Sequence, residues 1–495
     1  MSKMKESSPK KNIVEVASPI IEQSSSILDL VKINKIPLFI LFACSILLYA
    51  NTISHDYALD DQLAIYDNKY VVNGIAGIGD ILTHDAFEGF FGERGSKLIS
   101  GGRYRPLSFV SFAIEWQFFG KNPMVGHVIN IIFYGLLCCS IYLFLLWLFP
   151  HDEKEEKSKF DFLFTLPFLA AILYTFHPIH TEVVANIKGR DELLVFLFAV
   201  LSLIYFYQFS RGRLLDNFII FFLFFLALLS KENSITFILI FPLVAFIKGM
   251  KLTEKKFLIP YASIIVSTVL FLIIRSRFTQ SGIDAYSAEI LNNPFVRAEN
   301  GEKWGTIIYS FYRYLLILIF PHPLTHDYYF NQIPCRNFKD PIVWLTIAGL
   351  IALVIYTLKN TKSKSPIIFS ILFFAITFSI VSNVLFTVGI IMNERFVFIS
   401  SLGFSTIMGY LLLQGEIKFG KNLILGLTTL ILVLYAGKTI SRNLDWKDNF
   451  TLFGADYITS HNSAKVSTAF GGVLMEKVAE SKDTNIQRIY TDSSI

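Results

Sequence analysis

A chain of 495 residues that is 53% hydrophobic and only 17% charged, with a mean hydropathy of +0.52, lies well below the roughly one-quarter charged residues of soluble domains. With aromatics at 15% and four cysteines, disorder, collagen-like repeats and a disulfide scaffold are excluded, and Cys44, Cys138 and Cys139 sit inside apolar runs. A net charge of +5 spread over short loops gives no reason to expect nucleic acid as a partner. Composition therefore predicts an all-α polytopic protein of the lipid bilayer.

Residues 1–36 are polar and rich in Lys and Ser, and predict a disordered cytoplasmic tail without the apolar core and cleavage site of a signal peptide. Nearly charge-free runs then approach the roughly 20 residues that a bilayer core requires. They fall at 37–52, 126–149, 161–176, 191–209, 215–230, 235–249, 257–274, 341–358, 366–388, 396–414 and 422–440, eleven candidate spans in all. A twelfth run, 304–320, is shorter and carries Arg313 between tyrosines. With the N-terminus inside, the positive-inside rule places Lys154, Lys157, Lys159, Arg211, Arg213, Lys248, Lys251, Lys255 and Lys256 in the cytoplasm. Lys359, Lys362, Lys364, Lys418 and Lys421 join them only if 304–320 does not cross. That run accordingly reads as an amphipathic helix on the outer surface, with Tyr309, Tyr312 and Tyr314 near the headgroups. A transmembrane domain at 37–440 then carries two long outward loops, 53–125 and 275–340, and is followed by an outward segment, 441–495.

Polar residues able to do chemistry gather on that outward side. Asp60 and Asp61 follow the first span within His55-Asp56-Tyr57-Ala58-Leu59-Asp60-Asp61. Carboxylates near the headgroup plane suit a general base acting on a hydroxyl and can oppose positive charge on a sugar ring; a solvated acidic turn is the plain alternative. Arg103 and Arg105, in Gly102-Arg103-Tyr104-Arg105-Pro106, suit a phosphate or simple interfacial anchoring. His177 and His180 flank Pro178 and lack a clear third ligand, which favours hydrogen bonding to substrate or a neighbouring helix over metal. Arg190, Lys231, Glu394 and Arg395 stand at the lips of spans, where ionisable groups face the protein interior or a wet cavity. Lys231 and Arg395 are candidates for an anionic ligand, with Glu232 and Glu394 as possible partners. An ion pair holding helices together is the alternative reading. No nucleotide fingerprint or zinc spacing appears.

Read in order, Leu59-Asp60-Asp61, Gly102-Arg103-Tyr104-Arg105-Pro106-Leu107-Ser108, Phe176-His177-Pro178-Ile179-His180-Thr181-Glu182, Gly189-Arg190-Asp191-Glu192, Leu229-Ser230-Lys231-Glu232 and Asn393-Glu394-Arg395-Phe396 form one series. It resembles the transmembrane O-mannosyltransferases that carry tetratricopeptide repeats, within the GT-C glycosyltransferases, from about residue 37 to about 475. The resemblance implies a GT-C-like fold and a polyprenyl-phosphate-linked sugar, mannose by likeness. That sugar would pass with inversion to a Ser or Thr hydroxyl of a protein acceptor. Asp60 and Asp61 would be base and orienting partner, in an order the residues leave open. Arg103, Arg105, Arg190, Lys231 and Arg395 would meet the leaving phosphate, and neither cofactor nor metal is implied. Arg442-Asn443-Leu444-Asp445-Trp446-Lys447-Asp448 and Asn462-Ser463-Ala464-Lys465-Val466 look like the start of a repeat. Because stacked repeats need about three units to bury a core, this tail is expected to be a vestigial helix pair or a cap on the outer loops. The same likeness places the active face in the periplasm of a bacterial inner membrane or, in a eukaryote, in the endoplasmic reticulum lumen. A transporter or lipid flippase, and a non-catalytic scaffold, are the rival readings.

Overall fold

Helices dominate because the apolar runs are bounded by caps and prolines. Asp340 accepts a hydrogen bond from the Ile342 N–H just before Pro341, and Ser365 does the same for Ile368 before Pro366; proline fits the first helical position because no N–H is needed there. A computed structural model of the protein describes residues 27–96, 102–150, 160–210, 212–279, 293–481, 483 and 487–491. Among these residues there is no strand. The helices used below are α1 (Lys35–Tyr49), α2 (Pro106–Phe119), α3 (Pro123–Leu148), α4 (Leu166–Phe176), α5 (Arg190–Ile204), α6 (Leu214–Ser230), α7 (Phe237–Ile247) and α8 (Lys255–Phe278). They continue with α9 (Asn300–Ile319), α10 (Pro341–Asn360), α11 (Pro366–Ser379), α12 (Ser401–Phe419), α13 (Lys421–Asp445), α14 (Asn449–Thr459) and α15 (Ala464–Glu480).

Each of the eleven expected runs contains a helix, but not all of these helices are long. Among the described residues six stretches have the length and hydropathy to cross a bilayer: Lys35–Ser54, Pro123–Leu148, Ile187–Phe209, Lys255–Phe278, Pro341–Ser363 and Lys421–Asp445. The apolar helices Leu166–Phe176, Leu214–Ser230, Glu232–Ile247 and Pro366–Ser379 are shorter. They stop early where polar motifs begin. Short 3-10 turns at Pro178–His180, Glu232–Thr236 and Glu394–Val397 adjoin the ends of α4, α6 and α12. The expected span 366–388 needs correcting in this way, because its helix ends at Ser379 and irregular backbone follows. The expected disordered tail needs correcting as well, since Ile27–Ile33 is helical. Residues 1–26, Lys154, Lys157, Lys159 and Arg211 lie outside the described residues.

The core lies where α3, α4, α5 and α7 meet, with Tyr134, Leu137, Cys138, Phe196, Phe237 and Phe241 fully enclosed. By contrast, α10 leaves Trp344, Leu345, Ile351 and Val354 exposed. An aqueous surface would not carry so long an apolar face, whereas lipid tails solvate it. The same holds for Leu427, Leu430, Val433 and Leu434 of α13. The chain is thus an all-helical membrane protein.

Candidate functional site

At the loop-bearing end of the bundle, the first long loop leaves α1 and turns at Leu59, whose φ of +54° is left-handed. A bulky residue there is strained and needs outside support. The C-terminal segment supplies it: Leu59 N–H donates to Asn449 Oδ1 at 2.7 Å, and Asp56 N–H to the Lys447 carbonyl at 2.8 Å.

This turn sends the two adjacent carboxylates into different surroundings. Asp61 is only 1% exposed. It accepts hydrogen bonds from Lys188 N–H at 2.7 Å and Ala58 N–H at 3.1 Å, tying the first loop to the start of α5. Burial pushes its carboxyl up to about 7 against the pull of those donors. Asp60 is half-buried. Burial alone would raise its pKa, but Lys188, Arg395 and Arg103 outweigh that and hold the carboxyl below its ordinary value. None of the three is within ion-pairing distance of it among the described residues, so the carboxylate stands in a positive field with its oxygens open.

The cations expected to bind phosphate divide into two groups. In the first, Arg105 donates from Nε and Nη2 to both oxygens of Glu232 at 3.0 and 2.7 Å, and from Nη1 to Asp191 Oδ2 at 2.9 Å. Lys188 Nζ reaches the same Asp191 oxygen at 3.2 Å. Lys231 Nζ pairs with Glu192 Oε1, whose other oxygen accepts from Asn233 Nδ2 at 3.0 Å. Three cations thus face three carboxylates in a closed network. Arg190 is fully buried and equally committed. It donates to Asn130 Oδ1 at 2.8 Å and Gly126 O at 3.1 Å, pairs with Glu115, and stacks 4.5 Å over Phe112. In Arg105, Arg190 and Lys231 the donors already satisfy acceptors within the protein, as buried charges require.

In the second group, Arg103 and Arg395 act electrostatically on Asp60 without pairing with it. The Arg103 guanidinium lies 4.8 Å over the Phe87 ring, and no carboxylate pairs with it among the described residues. Arg395 pairs with Glu182 through Nη1 to Oε1 at 2.9 Å, and its own N–H donates to Glu182 Oε2 at 3.1 Å. It is half-buried rather than sealed.

Glu394 and the two histidines are likewise engaged within the protein. Glu394 Oε1 accepts from Thr325 N–H at 2.6 Å and Tyr328 Oη at 3.0 Å, so it anchors the second long loop. Burial pushes its carboxyl up to about 8. His180 lies buried between Tyr134 Oη and Ser401 Oγ, each 2.9 Å from a ring nitrogen. His177 Nε2 is 2.9 Å from the Leu318 carbonyl and its Nδ1 accepts from Ile179 N–H. It also borders an apolar cavity of about 380 Å³ with Phe404, Tyr435 and Lys438, which shares no lining residue with the Asp60 group. Both rings fasten helix ends together. Among the described residues no group of three or more His, Cys, Asp or Glu is arranged to hold a metal.

Three residues of this end were not singled out from sequence: Asp191 as the hub of the closed network, Glu182 as the partner of Arg395, and Asp456. The last is a fully buried acid that binds Arg442 at 2.7 and 3.1 Å and also contacts His326. A lone acid within the apolar helix Asn449–Thr459 was the available signal. Through these contacts the helix pair α14–α15 packs on both long loops, with Trp446, Leu452 and Phe453 covering Ala58 and Ala185.

No protein-family model matches this chain, and no solved structure matches it. Curated relatives do. Protein O-mannosyl-transferase F38B6.6 of Caenorhabditis elegans is 27% identical over 441 residues, covering 88% of this chain and 60% of that protein. Protein O-mannosyl-transferase TMTC3 of Mus musculus is 26% identical over 464 residues, covering 86% and 48% respectively. Protein O-mannosyl-transferase TMTC4 of Mus musculus is 26% identical over 485 residues, covering 88% and 63%. The chain thus spans about half to under two-thirds of the length of these relatives. Their shared name agrees with the resemblance drawn from the ordered motifs.

Proposed function

We propose that this protein is a membrane glycosyltransferase that moves a mannosyl group from a polyprenyl-phosphate donor to a Ser or Thr hydroxyl of a protein. The observation that carries the reading is the Asp60 carboxylate, left open in a field of Arg103, Arg395 and Lys188 while neighbouring charges are closed off. The names of the relatives support the sugar and the acceptor class. In this reading Asp60 is the general base. It takes the hydroxyl proton as that oxygen attacks the anomeric carbon from the face opposite the phosphate. The bond from the anomeric carbon to the phosphate oxygen breaks, its electron pair leaves with the lipid phosphate, and the configuration inverts. Arg103 and Arg395 oppose the charge that grows on the leaving group, and the Asp60 carboxylate steadies the electron-poor sugar ring.

Asp61 is a positioning residue in this scheme, because it binds Lys188 N–H and so fixes Asp60 relative to α5. The reaction uses charge that the chain itself places at the site and calls for no nucleotide. The eleven helical runs are read as spans that place the loops and the C-terminal pair on the luminal side of the endoplasmic reticulum or, in a bacterium, the periplasmic side.

The test is transfer of labelled mannose from polyprenyl-phosphate-mannose to Ser- and Thr-containing protein, in membranes enriched in this chain. The expected product carries the anomeric configuration opposite to the donor's. No transfer with any of several sugar donors and acceptors would overturn the proposal. A product that retains the donor's configuration would overturn the single-displacement mechanism.

A further inference from the structure

Helices α4, α12 and α13 and the end of α9 leave a gap between them. Leu173, Phe404, Met408 and Ile431 form the apolar wall of a cavity of about 380 Å³, within the roughly 300–1,000 Å³ of ligand pockets. His177 closes one side by packing its ring on Phe404 and Tyr435, with ring centroids 5.8 and 4.9 Å away. Ile319, Phe320 and Leu434 also line the cavity, and they are 58%, 67% and 62% exposed. Side chains this apolar and this exposed make a rim that opens toward lipid rather than water.

Two polar residues of the lining have no protein partner. Ser405 is 1% exposed, and its hydroxyl makes no hydrogen bond among the described residues. Its neighbour Thr406 and Ser370 of α11, by contrast, donate to the carbonyl one turn back. A hydroxyl buried in this state is costly unless something in the cavity completes it. Lys438 is half-buried, and no carboxylate pairs with it among the described residues. Acids of this end are engaged elsewhere: Asp445 and Asp456 bind Arg442, and Glu394 binds Thr325 and Tyr328. Lys438 lies seven residues, about 10 Å of helix rise, before the loop-bearing end of α13 at Asp445. At that depth a lysine stem carries its ammonium toward the headgroups. The lining includes no carboxylate and none of the Asp60 group.

We propose that this cavity binds a phospholipid of the loop-bearing leaflet, with one acyl chain against α4, α12 and α13. Its phosphate rests on Lys438, and an ester carbonyl accepts from the Ser405 hydroxyl. The apolar wall suits a hydrocarbon chain, and the exposed rim admits it from the bilayer. The two unpartnered groups, a hydroxyl donor and a cation, match the ester carbonyl and phosphate that a phospholipid carries close together. A polyprenyl phosphate has no acceptor along its chain for Ser405, and free phosphate leaves the apolar wall unfilled. The bound lipid joins the end of α9 to α12 and α13. The inference does not depend on the transfer reaction.

The test titrates the full chain, purified in mild detergent and stripped of lipid, with phosphatidylglycerol carrying a photoreactive group in one acyl chain. Saturable labelling is expected at the cavity wall, on the peptides that hold Met408 and Ile431. Lys438→Gln should weaken binding about tenfold to a hundredfold, the range for loss of a hydrogen bond to a charged group. Lys438→Arg should recover most of that loss, and Ser405→Ala should weaken binding about threefold to tenfold, as for a neutral hydrogen bond. Lys418→Gln, on an exposed lysine at the other end of α12, should bind as wild type. Labelling that never saturates, or that falls equally on the exposed face of α10, marks bulk lipid and would overturn the inference. So would an unchanged affinity in Lys438→Gln, or equal losses in Lys438→Gln and Lys438→Arg with a lowered melting point. Competition by inorganic phosphate at equal concentrations would overturn the lipid assignment. Displacement of the probe by polyprenyl phosphate more strongly than by unlabelled phosphatidylglycerol would overturn the choice of phospholipid.

Discussion

Two ionic groups lie side by side at the loop-bearing end of this protein, built from the same residue types and put to opposite uses. Around Asp191, the cations Arg105, Lys188 and Lys231 meet Asp191, Glu192 and Glu232 at hydrogen-bonding distances, and nearly every donor has an acceptor. Around Asp60, the cations Arg103 and Arg395 act on a carboxylate without forming an ion pair with it, and of these two Arg395 alone has an ion-pair partner among the described residues. A closed network has no charge left for a ligand and fixes helix ends in place. An open one holds its charges apart at a cost that a bound anion would relieve. The contrast teaches that charge density alone does not mark a site. What marks it is charge that the protein has not already matched.

The comparison can be broken most forcefully on the closed side. Arg105→Ala removes a guanidinium that binds both Asp191 and Glu232, and breaking a buried pair from one side costs roughly 3–5 kcal/mol. A large fall in the thermal midpoint is expected, with transfer lost only as the folded fraction falls. An unchanged midpoint would show that the network is not a scaffold. On the open side the expectation reverses. Arg103→Gln should leave the midpoint nearly unaltered and weaken donor binding about tenfold or more, as for loss of a charged hydrogen bond, which a donor titration would register. A lowered midpoint with normal donor binding would place Arg103 among the structural cations.

The smallest effect concerns Glu394, which joins the second long loop to the site. Its carboxyl is held up to about 8 by burial, from an ordinary value of 4.5. Between these values the folded state keeps a proton that the unfolded state has released. Stability from this group is therefore present below pH 4.5 and lost progressively as pH rises through about 8. Glu394→Gln retains an oxygen for Thr325 N–H and Tyr328 Oη and cannot ionise. Thermal midpoints measured from pH 5 to 9 should fall less steeply in this variant than in the wild type, and parallel curves would contradict the assignment.

The helical segments were legible because lipid-facing and core positions alike must be apolar for about the thickness of a bilayer. Where each helix stops was less so. The run 366–388 reads as one span, yet its backbone leaves the helix at Ser379 to form the irregular connection that ends at Glu394 and Arg395. Motifs rich in Asp, Arg and Lys were visible as a series, and Arg103 and Arg395 both act electrostatically on Asp60. Which cations are free was not visible, because pairing is a long-range fact. Arg105 finds Glu232 at 127 positions along the chain, and Arg190 finds Glu115 at 75. His177 and His180 looked equally chemical, and their buried hydrogen bonds to Leu318, Tyr134 and Ser401 are long-range facts of the same kind.

The central claim is that Asp60 belongs to the reacting site and Asp191 to the scaffold beneath it. The most direct test is to measure transfer per folded molecule and thermal midpoint for a matched pair, Asp60→Asn and Asp191→Asn. The account predicts that Asp60→Asn keeps the wild-type midpoint and loses at least a hundredfold in transfer, the scale for removing a general base. It also predicts that Asp191→Asn lowers the midpoint markedly while its folded fraction still transfers. Normal transfer by folded Asp60→Asn would contradict it.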